Sequence, residues 1–147
     1  MALQLYGLYL FLAVYAAGNM VTLQIQHYGI YPFVGKEAFR AYMQANNKAA
    51  LLPSILPAML LLLVSGALLV VRPSFMPAAA AIASLVLNLG ALLSTVAWQR
   101  KIQAQMAVRG YQESEVRHLL ATNWLRTGLF LGQAGLALAV TLRALPS

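Results

Sequence analysis

The sequence predicts an all-α integral membrane protein: a four-helix transmembrane bundle with one extra interfacial helix between spans one and two. The 147 residues are 61% hydrophobic and only 9% charged, with a mean hydropathy of +0.73, whereas soluble domains carry about 25% charged residues. Four apolar stretches have roughly the 20 residues needed to cross a hydrocarbon core of about 30 Å. A chain of this length is predicted to be one domain, residues 1–147.

The four spans are predicted at about 3–25, 51–71, 78–98 and 119–142. The second contains no charged residue, and Pro53 and Pro57 in its first turns predict a kink or loosened backbone hydrogen bonding. Pro77 stands just before the third span, at a position that proline favours at helix starts. Only the short segment 72–76 separates spans two and three, so the sequence predicts a helical hairpin.

The long connection between spans one and two is predicted to contain the interfacial helix, at residues 36–49. Its first part, HYGIYPFVG at 27–35, contains two glycines and a proline and is not expected to be continuous helix. In the segment after it, Phe39, Tyr42 and Met43 recur at the helical spacing i, i+3, i+4. This helix is expected to lie at the membrane surface or to lead directly into span two.

The orientation follows from the positive charges. The first and third connections carry seven Lys and Arg, and the opposite side carries only two. Since short loops rich in Lys and Arg stay in the cytoplasm, both termini are predicted on the non-cytoplasmic side of a bacterial inner membrane. The seven are Lys36, Arg40, Lys48, Arg100, Lys101, Arg109 and Arg117; the two are Arg72 and Arg143.

Arg126 is the residue most costly to place in lipid. It lies about two turns inside span four, where arginine costs about 2.5–3.5 kcal/mol at a helix centre and less near the ends. Asn123, Thr122 and His118 precede it at spacings that share its helix face, and Gln133 lies two turns further on. This polar stripe is expected to face the bundle interior. The alternative is that Arg126 snorkels to headgroups and Asn123 bonds a neighbouring helix.

Two histidines are candidates for chemistry. His27 and His118 both lie at the cytoplasmic ends of their predicted helices, so either could act as a general base beside Asn123 and Arg126. No metal site is predicted, because two histidines and three glutamates, of which Glu37 is the nearest to His27 in sequence, make a weak ligand set. The alternative for His27 is a hydrogen-bonding role at the interface.

Tyr31, Trp124 and Asn88 are the candidate substrate contacts. Tyr31 and Trp124 are aromatic residues predicted near the inner interface, and Asn88 is a lone amide within span three, on one face with Thr95 and Gln99. Each also has a structural explanation, because interfacial aromatic residues anchor helices and buried amides bond helices together.

Several function classes are unsupported by the residues. The chain has no Cys and no Asp, which excludes disulfides, thiolate sites and a Ser/His/Asp triad. A transporter would need a polar path through the outer leaflet, where spans two and four offer almost nothing polar. No cofactor is expected. The net charge of +7 is spread between apolar runs, which favours anionic lipid over nucleic acid as the partner. A small apolar ligand, a homo-oligomer or a partner membrane protein remain open.

The segments HYGIYPFVG (27–35) and HLLATNWLRTGLFLGQAGLAL (118–138), with the helix between them, resemble a group of small, uncharacterised bacterial four-helix membrane proteins. The close resemblance covers most of the chain. More distantly, the last span is similar to the anthrone oxygenase-like membrane family, in which an Asn and an Arg open the last helix; Asn123 and Arg126 match them. That likeness implies an oxygenase of polycyclic aromatic substrates that needs neither metal nor flavin.

Two functions therefore stay open. The first is a structural, partner or lipid-binding bundle in which Arg126 only bonds carbonyls or headgroups. The second is a membrane-embedded enzyme, resembling a cofactor-free oxygenase, acting on a small apolar or aromatic substrate. A cavity between the helices at the depth of Arg126 separates the two hypotheses, since a purely structural arginine needs none.

Overall fold

The computed structural model describes residues 1–145, and every regular element in this range is helical. Three π turns, with backbone hydrogen bonds from the N–H of residue i+5 to the carbonyl of residue i, interrupt the regular helices. In chain order the elements are α1 (Ala2–Thr22), a π turn (Leu23–His27), a 3-10 helix (Tyr28–Phe33), α2 (Lys36–Ala49), a π turn (Leu51–Ile55), α3 (Leu56–Ala67), α4 (Ala78–Ser94), a π turn (Thr95–Gln99), α5 (Arg100–Arg109) and α6 (Glu113–Ala144).

Three continuous helices are long and apolar enough to cross a membrane: Ala2–Phe33, Ala78–Arg109 and Glu113–Ala144, each of 32 residues. A fourth span arises if α2 and the helix Leu51–Ala67 are counted as one broken element, since they meet at a bend of 44°. A 32-residue helix is about 48 Å long, so each of the three extends beyond a hydrocarbon core of about 30 Å.

Two predicted breaks lie elsewhere than expected. Segment 27–35 stays helical as far as Phe33, because a 3-10 helix tolerates Pro32 over its short length. The connection after span three is also mostly helical: α5 ends at Arg109 and α6 begins at Glu113, so only residues 110–112 interrupt the helix. With φ at +82°, Gly110 has a backbone conformation that other residues rarely adopt, so glycine permits the sharp turn into α6.

The helix α2 has the bounds predicted for the interfacial helix. Its apolar face buries Phe39 and Met43 completely, against Met106 of α5 and the aromatic 3-10 segment. The opposite face carries exposed charged residues. The pair α2 and α5 therefore closes one end of the molecule, here named the basic end, which contains residues 28–50 and 99–117 and seven of the ten Lys and Arg.

At the other end, α1, α3, α4 and α6 pack around an apolar core. Helix α1 runs antiparallel to α6: the Tyr6 hydroxyl donates to the Ala137 carbonyl at 2.7 Å, and Gln24, in the π turn that continues α1, donates to the Leu120 carbonyl at 3.3 Å. The core is formed by Tyr9, Leu12, Ala13, Leu61, Leu68, Met76, Ala81, Phe130 and Ala137, among others.

A hydrogen-bonded polar network crosses this core. The Tyr9 and Ser84 hydroxyls lie 2.6 Å apart. Gln133 donates to Tyr9 at 3.3 Å and to Ser65 at 3.5 Å, and Asn88 donates to Ser65 at 2.9 Å. Spans two and four, expected to offer almost nothing polar towards this end, contribute Ser65 and Gln133. All five side chains are buried. They come from α1, α3, α4 and α6, so the network joins four helices.

Candidate ligand-binding site

Arg126 lies on the inward face of α6 and is only 7% exposed. Its Nη2 donates to the Tyr28 hydroxyl at 3.2 Å, and its Nη1 donates to Thr95 Oγ1 at 3.5 Å. Its Nε is buried and has no hydrogen-bond partner among residues 1–145. The guanidinium is therefore held by side chains of two other helices, with donor capacity left over.

No acidic side chain among residues 1–145 forms an ion pair with this guanidinium. The chain has three acidic residues, Glu37, Glu113 and Glu115, and no Asp. Glu37 is exposed in the first turn of α2, and Glu113 pairs with Arg117 at 3.5 Å on the exposed start of α6. Glu115 lies in the same first turn of α6, three turns before Arg126. Because a buried charge is unfavourable unless it is paired, Arg126 is an electrostatic anomaly within the described chain.

Arg126 borders a cavity of about 570 Å³ between the helices. This volume is within the range of about 300–1,000 Å³ typical of small-molecule sites. Most of the polar lining belongs to the basic end or lies next to it. The basic end contributes Tyr28, Asn46, Asn47, Gln99, Arg100 and Gln103; the other polar lining residues are His27, Ser54, Thr95 and Arg126. The rest of the lining is mostly apolar and comes largely from α1, α3 and α4 and the π turns beside them.

A smaller cavity of about 110 Å³ adjoins the first and extends away from the basic end. Both cavities are bordered by Arg126 and Thr95. The walls that belong to the smaller one alone are apolar except for Asn88, and include Ala58, Leu62 and Phe130. The guanidinium thus borders both the larger cavity, which has polar groups towards the basic end, and the smaller, more apolar one, here named the apolar chamber.

All three π turns contribute to the larger cavity. His27 comes from the first, Ser54 and Ile55 from the second, and Thr95 and Gln99 from the third. A π turn widens the helix by one residue, is rare, and often occurs at functional sites. Three such turns around one cavity indicate that the local backbone is shaped for it.

Gln99 is the second polar group with unused capacity at the cavity. It is buried, and its Nε2 donates to Thr122 at 2.8 Å. Its Oε1 is buried without a partner among the described residues. Gln103, one turn further on, donates to Tyr28, the residue that also accepts from Arg126. Towards the basic end of the cavity, Arg126 therefore offers a donor, its Nε, and Gln99 offers an acceptor, its Oε1, each free of partners among residues 1–145.

Asn123 is fully buried but lines neither of these two cavities. Its Nδ2 donates to Gln24 Oε1 at 2.6 Å, which joins α6 to the end of the first span. The predicted face shared with Arg126 is confirmed, since both side chains point inward. Asn123 therefore holds two helices together and does not contact either cavity.

His27 lines the larger cavity and His118 does not. The His27 Nε2 and the Tyr31 hydroxyl lie 3.3 Å apart, and Asn46 donates to that hydroxyl at 3.5 Å. His118 is exposed on the outer side of α6, so its expected place on the inward stripe is wrong. The eight residues from His118 to Arg126 turn the helix by about 80° beyond two full turns, which carries the imidazole off the buried face.

The structure places the three candidate substrate contacts, Tyr31, Trp124 and Asn88, in different surroundings. Tyr31 is fully buried among Tyr28, Phe39 and Tyr42; it contacts His27 but does not itself line the cavity. Trp124 is exposed and borders neither cavity, so the structure does not support it as a contact. Asn88 borders the smaller cavity together with Thr95, whereas Gln99, the third residue of the predicted face, borders only the larger one.

Tyr28 is a site residue that the sequence alone does not single out. It is buried and accepts hydrogen bonds from Arg126 and Gln103. It follows His27 directly, in a segment not expected to be helical, so the direction of its side chain could not be predicted. Within residues 1–145, no group of three His, Cys, Asp or Glu side chains is arranged to hold a metal ion.

Comparison of the chain with family models, with curated proteins and with solved structures gives no match. Its function is therefore inferred from the arrangement of the site.

Proposed function

We propose that the chain is a four-span membrane bundle that binds an anionic small molecule in the cavity beside Arg126. The observation that carries the proposal is a buried guanidinium that has no acidic partner among residues 1–145 and borders a cavity of about 570 Å³. A ligand anion would supply the missing counter-charge. This is the lipid-binding form of the bundle, and it differs from a purely structural one because Arg126 contacts hydroxyl groups and open volume rather than backbone carbonyls.

The charge distribution supports an anion over a cation. Arg100 lines the same cavity, and the basic end as a whole carries seven positive side chains. Charge-assisted hydrogen bonds from arginine to a carboxylate or phosphate are among the strongest that proteins form. A cationic ligand would meet repulsion from both arginines of the lining.

The membrane setting belongs to the same proposal. The basic end faces the cytoplasm of a bacterial inner membrane, because seven positive side chains gather there. In this setting Arg126 lies about 14 Å of helix further into the membrane than Arg117. At that depth water is scarce, so an ionic contact is stronger than at a protein surface.

The test compares an anionic probe with a neutral one of the same chain length. Purified protein in nanodiscs is titrated with octyl phosphate and with octanol. Octyl phosphate is expected to bind, and Arg126→Gln to weaken its binding about 10–100-fold, since a hydrogen bond to a charged group contributes about 1.5–3 kcal/mol. Arg117→Gln is the matched control, because this exposed arginine lies on the same helix.

Equal affinity for octyl phosphate and octanol would contradict the proposal. So would an Arg126→Gln variant that binds octyl phosphate as the wild type does. Folding of each variant is checked by its unfolding transition, so that a loss of binding is not confused with a loss of structure.

A membrane-embedded enzyme is the second candidate, and the position of His27 favours it. An imidazole bordering the cavity that Arg126 also borders could take a proton from a substrate whose developing negative charge the guanidinium stabilises. Product formation from a polycyclic aromatic substrate with an acidic C–H, supplied with oxygen, tests it. Activity that survives His27→Ala but not Arg126→Gln would remove His27 from the reaction.

A further inference from the structure

The larger cavity is partly open at the surface of the molecule, and two of the π turns, Leu51–Ile55 and Thr95–Gln99, border it from elements whose backbones do not approach each other closely. Within the described chain, no Cα of Leu51–Ile55 lies within 8 Å of a Cα of Thr95–Gln99 or of Arg100–Arg109. On one side of this gap α3 packs against α4, and on the other α2 packs against α5. This separation, here named the portal, lies between two packed helix pairs, which makes it the place where the cavity can open to the side.

The rim of the portal is apolar on the side away from the basic end, whereas Arg100 borders the cavity on the basic side. Ile55 and Val96 line the cavity from opposite sides of the gap, and each is 49% exposed. Met59, one turn beyond Ile55, also lines the cavity and is exposed. A water-filled entrance needs polar groups at its rim, whereas half-exposed aliphatic side chains suit contact with lipid chains.

The interior is polar at one end and apolar at the other. Arg126, Gln99 and Gln103 stand towards the basic end, and the smaller cavity lined by Leu62 and Phe130 extends away from it. An amphiphile in a bilayer has the same order, with its charged head at the interface and its chain towards the midplane. The site therefore matches the orientation that such a molecule already has in the adjacent leaflet.

We infer that the ligand is an anionic, single-chain amphiphile that enters sideways from the bilayer through the portal, placing its head on Arg126 and its chain in the apolar chamber. This inference rests on the proposed function and specifies its ligand class. A small water-soluble anion is the alternative, and it would reach Arg126 from the basic end.

The experiment uses a long-chain fatty acid with a photoreactive diazirine in mid-chain, and protein in nanodiscs. Adducts are expected on the portal and chamber residues of 51–62 and 92–96. Unlabelled oleate is expected to compete, and inorganic phosphate is not. Val96→Trp, which fills the rim, is expected to lower labelling about tenfold, comparable to the loss of one strong contact. Val86→Trp is the matched control, because Val86 is a 60% exposed residue of α4 that borders neither cavity.

A reversible closure of the portal tests the route without added bulk. The chain has no Cys, so Ile55→Cys combined with Val96→Cys gives two unique thiols. Since their Cα atoms lie more than 8 Å apart, they are too distant for a direct disulfide, which needs a separation of at most about 6.8 Å. A bifunctional methanethiosulfonate can bridge them. Bridging is expected to abolish labelling, and reduction to restore it.

Three results would overturn the inference. These are competition by inorganic phosphate as strong as by oleate, adducts located away from the portal and chamber, and unchanged labelling after bridging. If octyl phosphate still binds in an Arg126-dependent manner in any of these cases, the proposed function stands and only the lateral route fails. If octyl phosphate does not bind either, both fail together.

Discussion

The substitution Arg126→Met distinguishes two roles for this arginine: binding a ligand and holding the helices together. Methionine fills similar volume with an apolar, flexible chain. If the guanidinium exists for a ligand, the ligand-free protein carries an unpaired buried charge, and its removal should stabilise the fold. If the guanidinium exists to bond helices, its removal should destabilise the fold. The two hypotheses therefore predict opposite signs for one measurement.

The magnitude follows from the contacts. An arginine near the middle of a span costs about 2.5–3.5 kcal/mol. Two hydrogen bonds, at 3.2 and 3.5 Å, offset part of this cost, and interhelical bonds in membranes contribute about 0.6 kcal/mol each on average. Arg126→Met is therefore expected to raise the free energy of unfolding by about 1–2 kcal/mol in the ligand-free protein, while octyl phosphate binding is lost.

The assay is reversible unfolding in mixed detergent micelles, followed by circular dichroism, with and without octyl phosphate. The ligand should stabilise the wild type by mass action and leave Arg126→Met unaffected. Arg117→Met, which loses only an exposed pair with Glu113, should change the unfolding free energy by less than about 1 kcal/mol. A destabilisation of more than about 1 kcal/mol by Arg126→Met would refute the reasoning and return Arg126 to a structural role.

Three further predictions concern the surroundings of the site. A double-mutant cycle of Gln24→Met and Asn123→Leu in the same unfolding assay should give a coupling of about 0.6–1.7 kcal/mol, because their 2.6 Å bond joins two helices; additivity would contradict this. Gly110→Ala should cost about 1–3 kcal/mol, because a φ of 82° combined with a ψ of -162° is a backbone conformation essentially confined to glycine. An unchanged unfolding transition would disprove this strain. Deleting Trp98 from its π turn should preserve folding but lower octyl phosphate binding. Deleting Leu93 from the regular part of α4 should destabilise the protein, because it rotates the helix beyond the deletion by about 100°. Equal stability of the two deletion variants would argue against a π turn shaped for the cavity.

The helical class and the long apolar helices could be predicted from the sequence because they depend on summed hydrophobicity, which tolerates local errors. The helix 36–49 was equally accessible, since Phe39 and Met43 stand at helical spacing and bury one face. The inward direction of Asn123 and Arg126 follows from the cost of polar groups in lipid. These are properties of a single helix, and a single helix can be understood without its neighbours.

The cavity could not be predicted, because it depends on where helices fail to touch. Hydropathy gives no signal for a π turn, so the widening at Thr95–Gln99 and Leu51–Ile55 was hidden, although Pro53 indicated loosened backbone bonding near the second. His118 was expected inward and lies outward, because a spacing of eight residues leaves an angle of about 80° between two side chains of a helix. The role of Tyr28 was hidden for a related reason, since the segment around Pro32 was expected to leave the helix.

The polar groups of the interior sort into two kinds by their surroundings. Gln133 donates to both Tyr9 and Ser65 across close-packed helices, and these contacts between neutral groups hold the bundle without needing open volume, although Gln133 Oε1 has no partner among residues 1–145. Arg126 is also buried, yet it carries a charge, borders the cavity and keeps its Nε without a partner among residues 1–145. A network that serves stability alone gains nothing from leaving a charge unpaired beside open space. The simplest physical account is that the free energy lost at Arg126 in the ligand-free protein is recovered when an anion binds, and the sign of the Arg126→Met effect tests that account directly.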